Sequence, residues 1–425
     1  MGGDPYPSRM RFGLTLPHYG FSLPGGEPIT FGAVVESARR AERLGFDSVW
    51  VSDHFFYSFG RYGADPAPIA SIEPLTAIAG LASLTERIRL GTLVLGAPFR
   101  HPSIVAKMAA TIDAIAGGRL DLGVGAGWLE QEFGAFGYRY GSIGERFEIL
   151  EETLQVLHGL FSGEPTSFDG PTLRLRDARS LPASVQPRIP VWVGGKGGPK
   201  VLRLAARYAD GWNGAWRWTP ETYGERVAAA REACERAGRD PATFRLSAGL
   251  YTLLGDDDRT FRATFERGAA SMPGDAMRGD TEETWRADTL SGTPDQAIER
   301  VRAFEQIGVE EIVVAPWVLP FSEQEPEIVE LFAERVLPAF RRDRRDTSVP
   351  APDALGAAVA VLREADGPLH WTVIQDRALR AGHLDPFRTP DVRKNLLAAL
   401  RRGVRDGTLV AVDRGVYGLA PSSDG

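Results

Sequence analysis

At 425 residues, 43% hydrophobic and 25% charged, the chain has an ordinary soluble globular composition and room for a large α/β domain with a smaller companion. Its formal net charge of −7 offers no whole-chain attraction to nucleic acid or anionic membrane, and no apolar run approaches the about 20 residues of a membrane span.

The N-terminus, Met1-Gly2-Gly3-Asp4-Pro5-Tyr6, carries no apolar signal region and has Tyr6 where a myristoylation signal needs Ser or Thr. Arg11 to Pro17 reads as a first strand, leading into a glycine-containing loop with His18 and Tyr19. A helix from about Phe31 to Leu44 repeats Val34, Ala38, Ala41 and Leu44 at helical spacing, and Gly45 suits its C-terminal cap. Val49-Trp50-Val51 is a second strand ending in Ser52-Asp53-His54, followed by a long polar and aromatic loop from Phe55 to Glu73 and a helix from Pro74 to Leu84.

Arg89 to Leu95 and Leu120 to Gly125 are short apolar runs closed by glycine, as expected for parallel strands buried on both faces. The helix between them, Ser103 to Ile115, is expected to bury Ile104, Met108, Thr111, Ile112 and Ile115. A helix from about Gly144 to Leu160 follows, then a Gly-, Pro- and Ser-rich stretch from Phe161 to Pro190 that reads as a functional insertion. Val191-Trp192-Val193 and the weaker Gly211 to Trp216 follow, and Phe244 to Leu253 and Glu311 to Ala315, each preceded by a helical segment, complete eight strands. Cys234, the one cysteine, excludes an internal disulfide or thiolate metal cluster, and beside Val227, Ala230 and Ala233 it reads as a core thiol of a cytoplasmic protein. Eight strands alternating with helices argue for a (β/α)8 barrel, with a doubly wound open sheet as the alternative.

Past Arg341 the composition changes. Residues 341–352 are charged and then proline-rich, a linker, and residues 353–420 form a second domain. Helical patterns cover Asp353 to Ala365, Trp371 to Ala381 and Thr389 to Arg402, and a hairpin closes the chain around Asp413-Arg414-Gly415. Three helices and a hairpin point to a winged helix-turn-helix. Arg393, Lys394, Arg401, Arg402 and Arg405 stripe the third helix, yet acids across the tail balance them. Domain packing or protein–protein contact therefore ranks above DNA contact.

The chemistry-bearing residues gather at strand ends. Gly123-Val124-Gly125-Ala126-Gly127 departs from the G-x-G-x-x-G dinucleotide spacing, but its glycines let backbone N–H groups approach a phosphate. Gly194-Gly195-Lys196-Gly197-Gly198 with Lys200 is a second such loop carrying fixed charge. Two such loops at one barrel end favour an anionic cofactor tail over two plain tight turns. His54 can exchange protons near neutral pH, and Asp53 beside it is expected to orient it. Of Trp128, Trp192, Trp212, Trp216 and Trp218, most fill the core, leaving one or two for an aromatic substrate pocket. Neither a Gly-x-Ser-x-Gly elbow nor histidines at metal spacing occur in the sequence, so a triad hydrolase or a metal site is not expected.

Several motifs in fixed order carry a family resemblance. Leu44-Gly45-Phe46-Asp47-Ser48-Val49-Trp50-Val51-Ser52-Asp53-His54, Leu90-Gly91-Thr92 through Arg100-His101-Pro102, and Gly117-Gly118-Arg119 through Gly125-Ala126-Gly127-Trp128 resemble the luciferase-like monooxygenases. Glu145 to Glu152, Val193-Gly194-Gly195 and Ala205 to Trp212 extend the likeness over about residues 10–340. It implies a TIM barrel of the bacterial-luciferase type, a homodimer, and hydride transfer between the deazaflavin coenzyme F-420 and a small organic substrate. FMN is the alternative cofactor, in a two-component monooxygenase; a cofactor-sensing DNA-binding regulator is the alternative outside enzymes.

By the same resemblance, a cis peptide between Leu93 and Val94 faces the cofactor ring and His54 handles the proton, with Asp53 beside it. Gly96, Ala126, Gly127, Gly197 and Gly198, together with Gly125 and Gly195 in the same loops, line the phosphate and ribityl path, and Gln131 and Lys200 add side chains. Trp128 stands where the family's sugar-phosphate dehydrogenases carry an acid, which argues against a sugar phosphate. The loops expected to choose the substrate are Tyr19 to Thr30, Phe55 to Glu73 and Phe161 to Pro190.

Overall fold

The computed structural model describes residues 9–341, 354–365, 367–380, 384, 392–413 and 415–420, which fall into two compact units divided at Arg341. The first is a closed parallel barrel. Its opening half runs β1 (Arg11–Thr15), α1 (Phe31–Leu44), β2 (Ser48–Val51), α2 (Pro74–Leu84), β3 (Arg89–Thr92), β4 (Leu95–Gly96), α3 (Pro102–Ala116) and β5 (Leu120–Gly125). Next come α4 (Glu130–Ala135), α5 (Ile143–Leu160), β6 (Thr166–Asp169), β7 (Arg174–Ala178), β8 (Val191–Gly194), α6 (Pro199–Tyr208), β9 (Gly211–Trp216) and α7 (Pro220–Arg236). The unit ends with β10 (Arg245–Tyr251), α8 (Asp258–Ser271), α9 (Glu282–Asp288), α10 (Pro294–Gln306), β11 (Glu311–Ala315) and α11 (Pro326–Leu331).

The barrel strands pair in parallel in the order β3-β2-β1-β11-β10-β9-β8-β5-β4, and β3 also pairs with β5, which closes the ring. The doubly wound alternative therefore falls. The third stave is broken into β3 and β4, and the Leu93–Val94 peptide in the break is cis. The weak sixth stave is a full strand, paired with β10 from Gly211 to Trp216.

One end of the barrel is plugged and the other is open. At the strand starts, Arg11 pairs with Glu311 at 2.6 Å and Arg89 with Asp121 at 2.6 Å, both carboxylates fully buried. Ser48 Oγ donates to Glu311 and in turn accepts from the Trp50 indole at 2.8 Å. Trp50 and Trp192 meet edge-on inside, 6.4 Å between centroids. Gly91 and Gly211 make room for them: a Cβ there would lie 2.3 Å from Trp50 Cε3 and 2.6 Å from Trp192 Cζ3. With that end filled, the cavity can form only at the strands' C-terminal ends.

Two expectations are corrected outside the sheet. Helix α3 turns Val105, Ala106, Ala109, Ala110, Ile112 and Ala116 inward, while Ile104 and Ile115 are 56% and 47% exposed. The alanines win the buried face because a small side chain lets the helix approach its neighbours closely. Asp113 shares that face, satisfied by the Gln186 N–H at 3.0 Å and the Gln186 Nε2 at 2.8 Å. The stretch 161–190 is also no bare functional loop: it carries the antiparallel hairpin β6–β7, and its Gln186 anchors to α3.

The second unit contains α12 (Ala354–Arg363), β12 (Leu369–His370), α13 (Trp371–Arg380), α14 (Val392–Arg405), β13 (Leu409–Asp413) and β14 (Val416–Leu419). The strands form an antiparallel sheet in the order β12-β14-β13 over a core with Ala358, Val361, Ile374, Leu396 and Leu400. The basic residues expected on the third helix lie exposed along α14. The linker and Arg414 of the expected turn fall outside the described residues, apart from Arg341. Among the described residues no helix is long and apolar enough to cross a membrane.

Candidate active site

The open end of the barrel surrounds a cavity of about 560 Å³, within the usual size of small-molecule sites. Each stave contributes from its C-terminal end: Tyr19 after β1, Ser52 to His54 after β2, Leu93 to Gly96 in the third, Gly125 to Trp128 after β5, Gly194 to Lys196 after β8. Asn213, Ala215 and Trp216 come from β9, Tyr251 from β10 and Phe321 from beyond β11.

His54 is held by a carboxylate, but not by its sequence neighbour. Its Nδ1 lies 2.8 Å from Glu132 Oε1, and Glu132 Oε2 accepts the Phe55 N–H at 2.9 Å. Because a carboxylate only accepts, Nδ1 carries the hydrogen, leaving Nε2 free to take or give a proton. Glu132, with a side chain 1% exposed, comes from the short helix α4, whose only buried residues are Glu132 and Phe133. Asp53 does something else. Its Oδ2 accepts from Arg100 Nη1 at 2.6 Å and the Gly96 N–H at 2.9 Å, and its Oδ1 from Arg100 Nη2 at 2.9 Å. Arg100 also reaches Glu73, the N-cap of α2. Asp53 therefore ties the second stave to β4 rather than orienting His54.

Val94 sits against a floor of glycines. A Cβ at Gly125 or Gly194 would lie 2.7 Å or 2.6 Å from a Val94 methyl, so neither position has room for a side chain. Gly127 has φ +75°, a left-handed conformation that glycine adopts without strain. Among the described residues the N–H groups of Ala126, Gly127 and Trp128 have no backbone acceptor. Deeper in, Asn213 Nδ2 donates to Ser247 Oγ at 2.8 Å, while its buried Oδ1 has no partner among the described residues.

Tyr19 and Ser52 on the cavity wall form a directed chain with His18, which does not border the cavity. His18 Nδ1 faces the Leu16 carbonyl at 3.2 Å, which can only accept, so Nδ1 donates and Nε2 accepts from Ser52 Oγ at 2.8 Å. Ser52 in turn accepts from the Tyr19 hydroxyl. Burial pushes the His18 pKa from 6.5 down to about 3, so the ring is neutral.

Of the residues expected from sequence, His54, Asp53, Leu93, Val94, Gly96, Gly125, Ala126, Gly127 and Gly195 border the cavity. Gln131, Gly197, Gly198 and Lys200 do not: Gln131 donates to the Pro66 carbonyl at 3.3 Å, and Lys200 lies 5.8 Å from the Phe147 ring. Trp128 and Trp216 line the cavity, while Trp192 and Trp212 are buried. Two of the expected substrate loops reach the cavity, through Tyr19 and through Tyr57, Arg61 and Tyr62, but nothing in 161–190 does. Glu132, Arg100 and Asn213 were not foreseen. A carboxylate on the inner face of the helix following the glycine loop was the available signal for Glu132.

A luciferase-like monooxygenase family model matches residues 10–311. The chain belongs to the luciferase-like monooxygenase family. An F-420-dependent glucose-6-phosphate dehydrogenase of Intrasporangium calvum is 30% identical over 328 residues, 72% of this chain and 94% of that one. An F-420-dependent hydroxymycolic acid dehydrogenase of Mycobacterium tuberculosis is 31% identical over 274 residues, 63% of this chain and 71% of that one. Among solved structures, an F-420-dependent secondary alcohol dehydrogenase with an F-420–acetone adduct has the same fold, with a TM-score of 0.64 at 22% identity, covering 78% of this chain and 99% of that one. Within this luciferase-like fold the break after β3, the strand-end glycines and His54 face one cavity.

His18 makes stability depend on pH. The unfolded chain takes up a proton near pH 6.5 and the native ring only near 3, so its contribution is intact above 6.5 and is lost as pH falls through that window. By pH 4.5 the loss from this residue should reach about 2–3 kcal/mol. His18→Asn, which does not titrate, should flatten the fall in the urea midpoint between pH 7 and 4.5; an unchanged fall would contradict this.

Proposed function

We propose that this protein is an F-420-dependent oxidoreductase that moves hydride between the deazaflavin and a small organic substrate. The observation that carries the reading is His54, fixed through Nδ1 by buried Glu132 and bordering a cavity floored by glycines and Val94. The F-420-dependent relatives at about 30% identity support the choice of cofactor.

The residues present fit such a group. A flat ring has a surface in Leu93–Val94, where side chains at Gly125 and Gly194 would collide with Val94. The unpartnered Asn213 Oδ1 offers an acceptor, and the free N–H groups of Ala126 and Gly127 offer donors for a phosphate. Lys196 borders the cavity, and Gly197, Gly198, Lys200 and Gln131 beyond it would meet the anionic tail outside.

When bound, F-420 supplies the hydride carrier. The chain does the rest. Glu132 holds the imidazole in one tautomer, His54 Nε2 takes the hydroxyl proton as an alcohol is oxidised, and imidazolium returns it in the reverse direction. Aromatic walls exclude water from the reacting carbon.

For the second unit we propose a winged-helix-like contact module, supported by its three helices and three-stranded sheet. We also propose a homodimer, supported by exposed Ile104 and Ile115 on α3.

Titrating the purified protein with F-420 and separately with FMN, followed by fluorescence, should give saturable binding of F-420. Tight FMN binding with no F-420 binding would overturn the assignment. His54→Ala should lower kcat by about 10²–10⁴-fold while changing the F-420 dissociation constant little; unchanged turnover would remove His54 from the mechanism.

A further inference from the structure

The half of the cavity facing the glycine floor is built from aromatic rings, and one of them is braced as a platform. Trp216 stacks on Tyr251 with centroids 5.9 Å apart at 28°, and Tyr251 stacks on Trp285 at 5.4 Å and 21°. Behind Trp285 the Arg217 guanidinium lies 5.0 Å from the ring, clamped by Asp280 and Asp288 through contacts of 2.8–3.0 Å. Phe321 packs edge-on against Trp216 at 5.4 Å. Trp216 and Tyr251 border the cavity, whereas Trp285 and Arg217 do not, so the stack ends on the cavity with Trp216 half-buried. A ring braced this way loses little freedom when another flat ring lies on it.

The charges around this half are already spent. Arg217 is neutralised by two carboxylates and Asp53 by Arg100, while the Glu132 carboxylate accepts from His54 Nδ1 and the Phe55 N–H. Lys196 stands on the glycine-loop side, 5.2 Å from the Trp218 ring, and Arg61 lies 4.7 Å from the exposed Trp128 ring at the mouth. What the inner wall offers a ligand is neutral: the hydroxyls of Tyr19, Tyr57 and Tyr251 and the Asn213 amide oxygen. Burial holds Tyr57 and Tyr251 protonated by raising their pKa. A charged substrate group placed there would be desolvated without a partner.

We propose that the substrate is a flat, uncharged cyclic alcohol or ketone whose ring lies on Trp216 and whose single oxygen reaches His54. This rests on the F-420 reading above and specifies the substrate class for the same site. In the oxidative direction the carbinol C–H bond breaks with its electron pair going to F-420, the O–H proton goes to His54 Nε2, and the C=O bond forms. In the reductive direction the carbonyl carbon would take up the hydride that bound reduced F-420 supplies, and the His54 imidazolium would protonate the oxygen.

Calorimetry on the full chain, with and without saturating F-420, tests this with three probes: 1-tetralone, 1-naphthoate and glucose 6-phosphate. Tetralone should bind at least about tenfold more tightly than either anion, and Trp216→Ala should weaken it by about tenfold. Trp216→Phe should keep most of the affinity, which covers the case in which the alanine variant does not fold. The F-420 dissociation constant should change less than about threefold in either folded variant, since the platform is assigned to the substrate. Tetralone binding that is absent, or unchanged in a folded Trp216→Ala, overturns the proposal. So does tighter binding of naphthoate through Arg61, or of glucose 6-phosphate, or an equal loss of F-420 affinity in Trp216→Ala. If tetralone behaves as expected while F-420 does not bind the wild-type chain, the cofactor reading fails and the aromatic site stands.

Discussion

The site depends on one buried carboxylate. Glu132 accepts from the imidazole of His54 and from the backbone of Phe55, so it fixes both a ring nitrogen and the first turn of the loop that carries it. A carboxylate this buried is costly unless both oxygens are satisfied, and here each has a donor. Removing it would free the tautomer of His54 and the path of the chain from Phe55 towards Tyr57 and Tyr62 together. The His54 imidazole and the aromatic wall are thus coupled through one side chain.

A second constraint sets where chemistry can occur. Tryptophan and glycine trade space along the barrel: Trp50 and Trp192 fill its closed end because Gly91 and Gly211 leave them room. At the open end the exchange is reversed. Gly125 and Gly194 yield to Val94, and the larger rings stand back on Trp128, Trp216 and Tyr251. The Asp53–Arg100–Glu73 chain then ties the second and third staves and α2 at the rim, giving His54 and Val94 a common frame.

Much of this was legible in the sequence. Strand runs such as Ile312-Val313-Val314-Ala315 in β11 are short and apolar, and glycines marked the strand ends that turned out to face the cavity. Three readings went astray for physical reasons. Asp53 adjoins His54 in sequence, but in the loop after β2 its carboxylate meets Arg100 and the Gly96 N–H instead. Glu132 lies 78 residues from His54, a pairing only the closed barrel brings about. On α3, bulk favoured Ile104 and Ile115 for the core, whereas close packing chose alanines. The platform behind Trp216 was invisible because its members come from β9, β10 and α9, and its bracing carboxylates from residues 280 and 288.

The central claim is that His54 presents an unprotonated Nε2 to the cavity because Glu132 holds the hydrogen on Nδ1. Long-range proton–nitrogen correlation spectra of the protein with nitrogen-15-labelled histidine, assigned by comparison with His54→Gln, report that tautomer directly. Neutral His54 should be in the Nδ1–H form in the wild-type protein, and Glu132→Ala should show a mixture of both forms. A wild-type spectrum showing the Nε2–H form, or one unaltered by loss of Glu132, would contradict it.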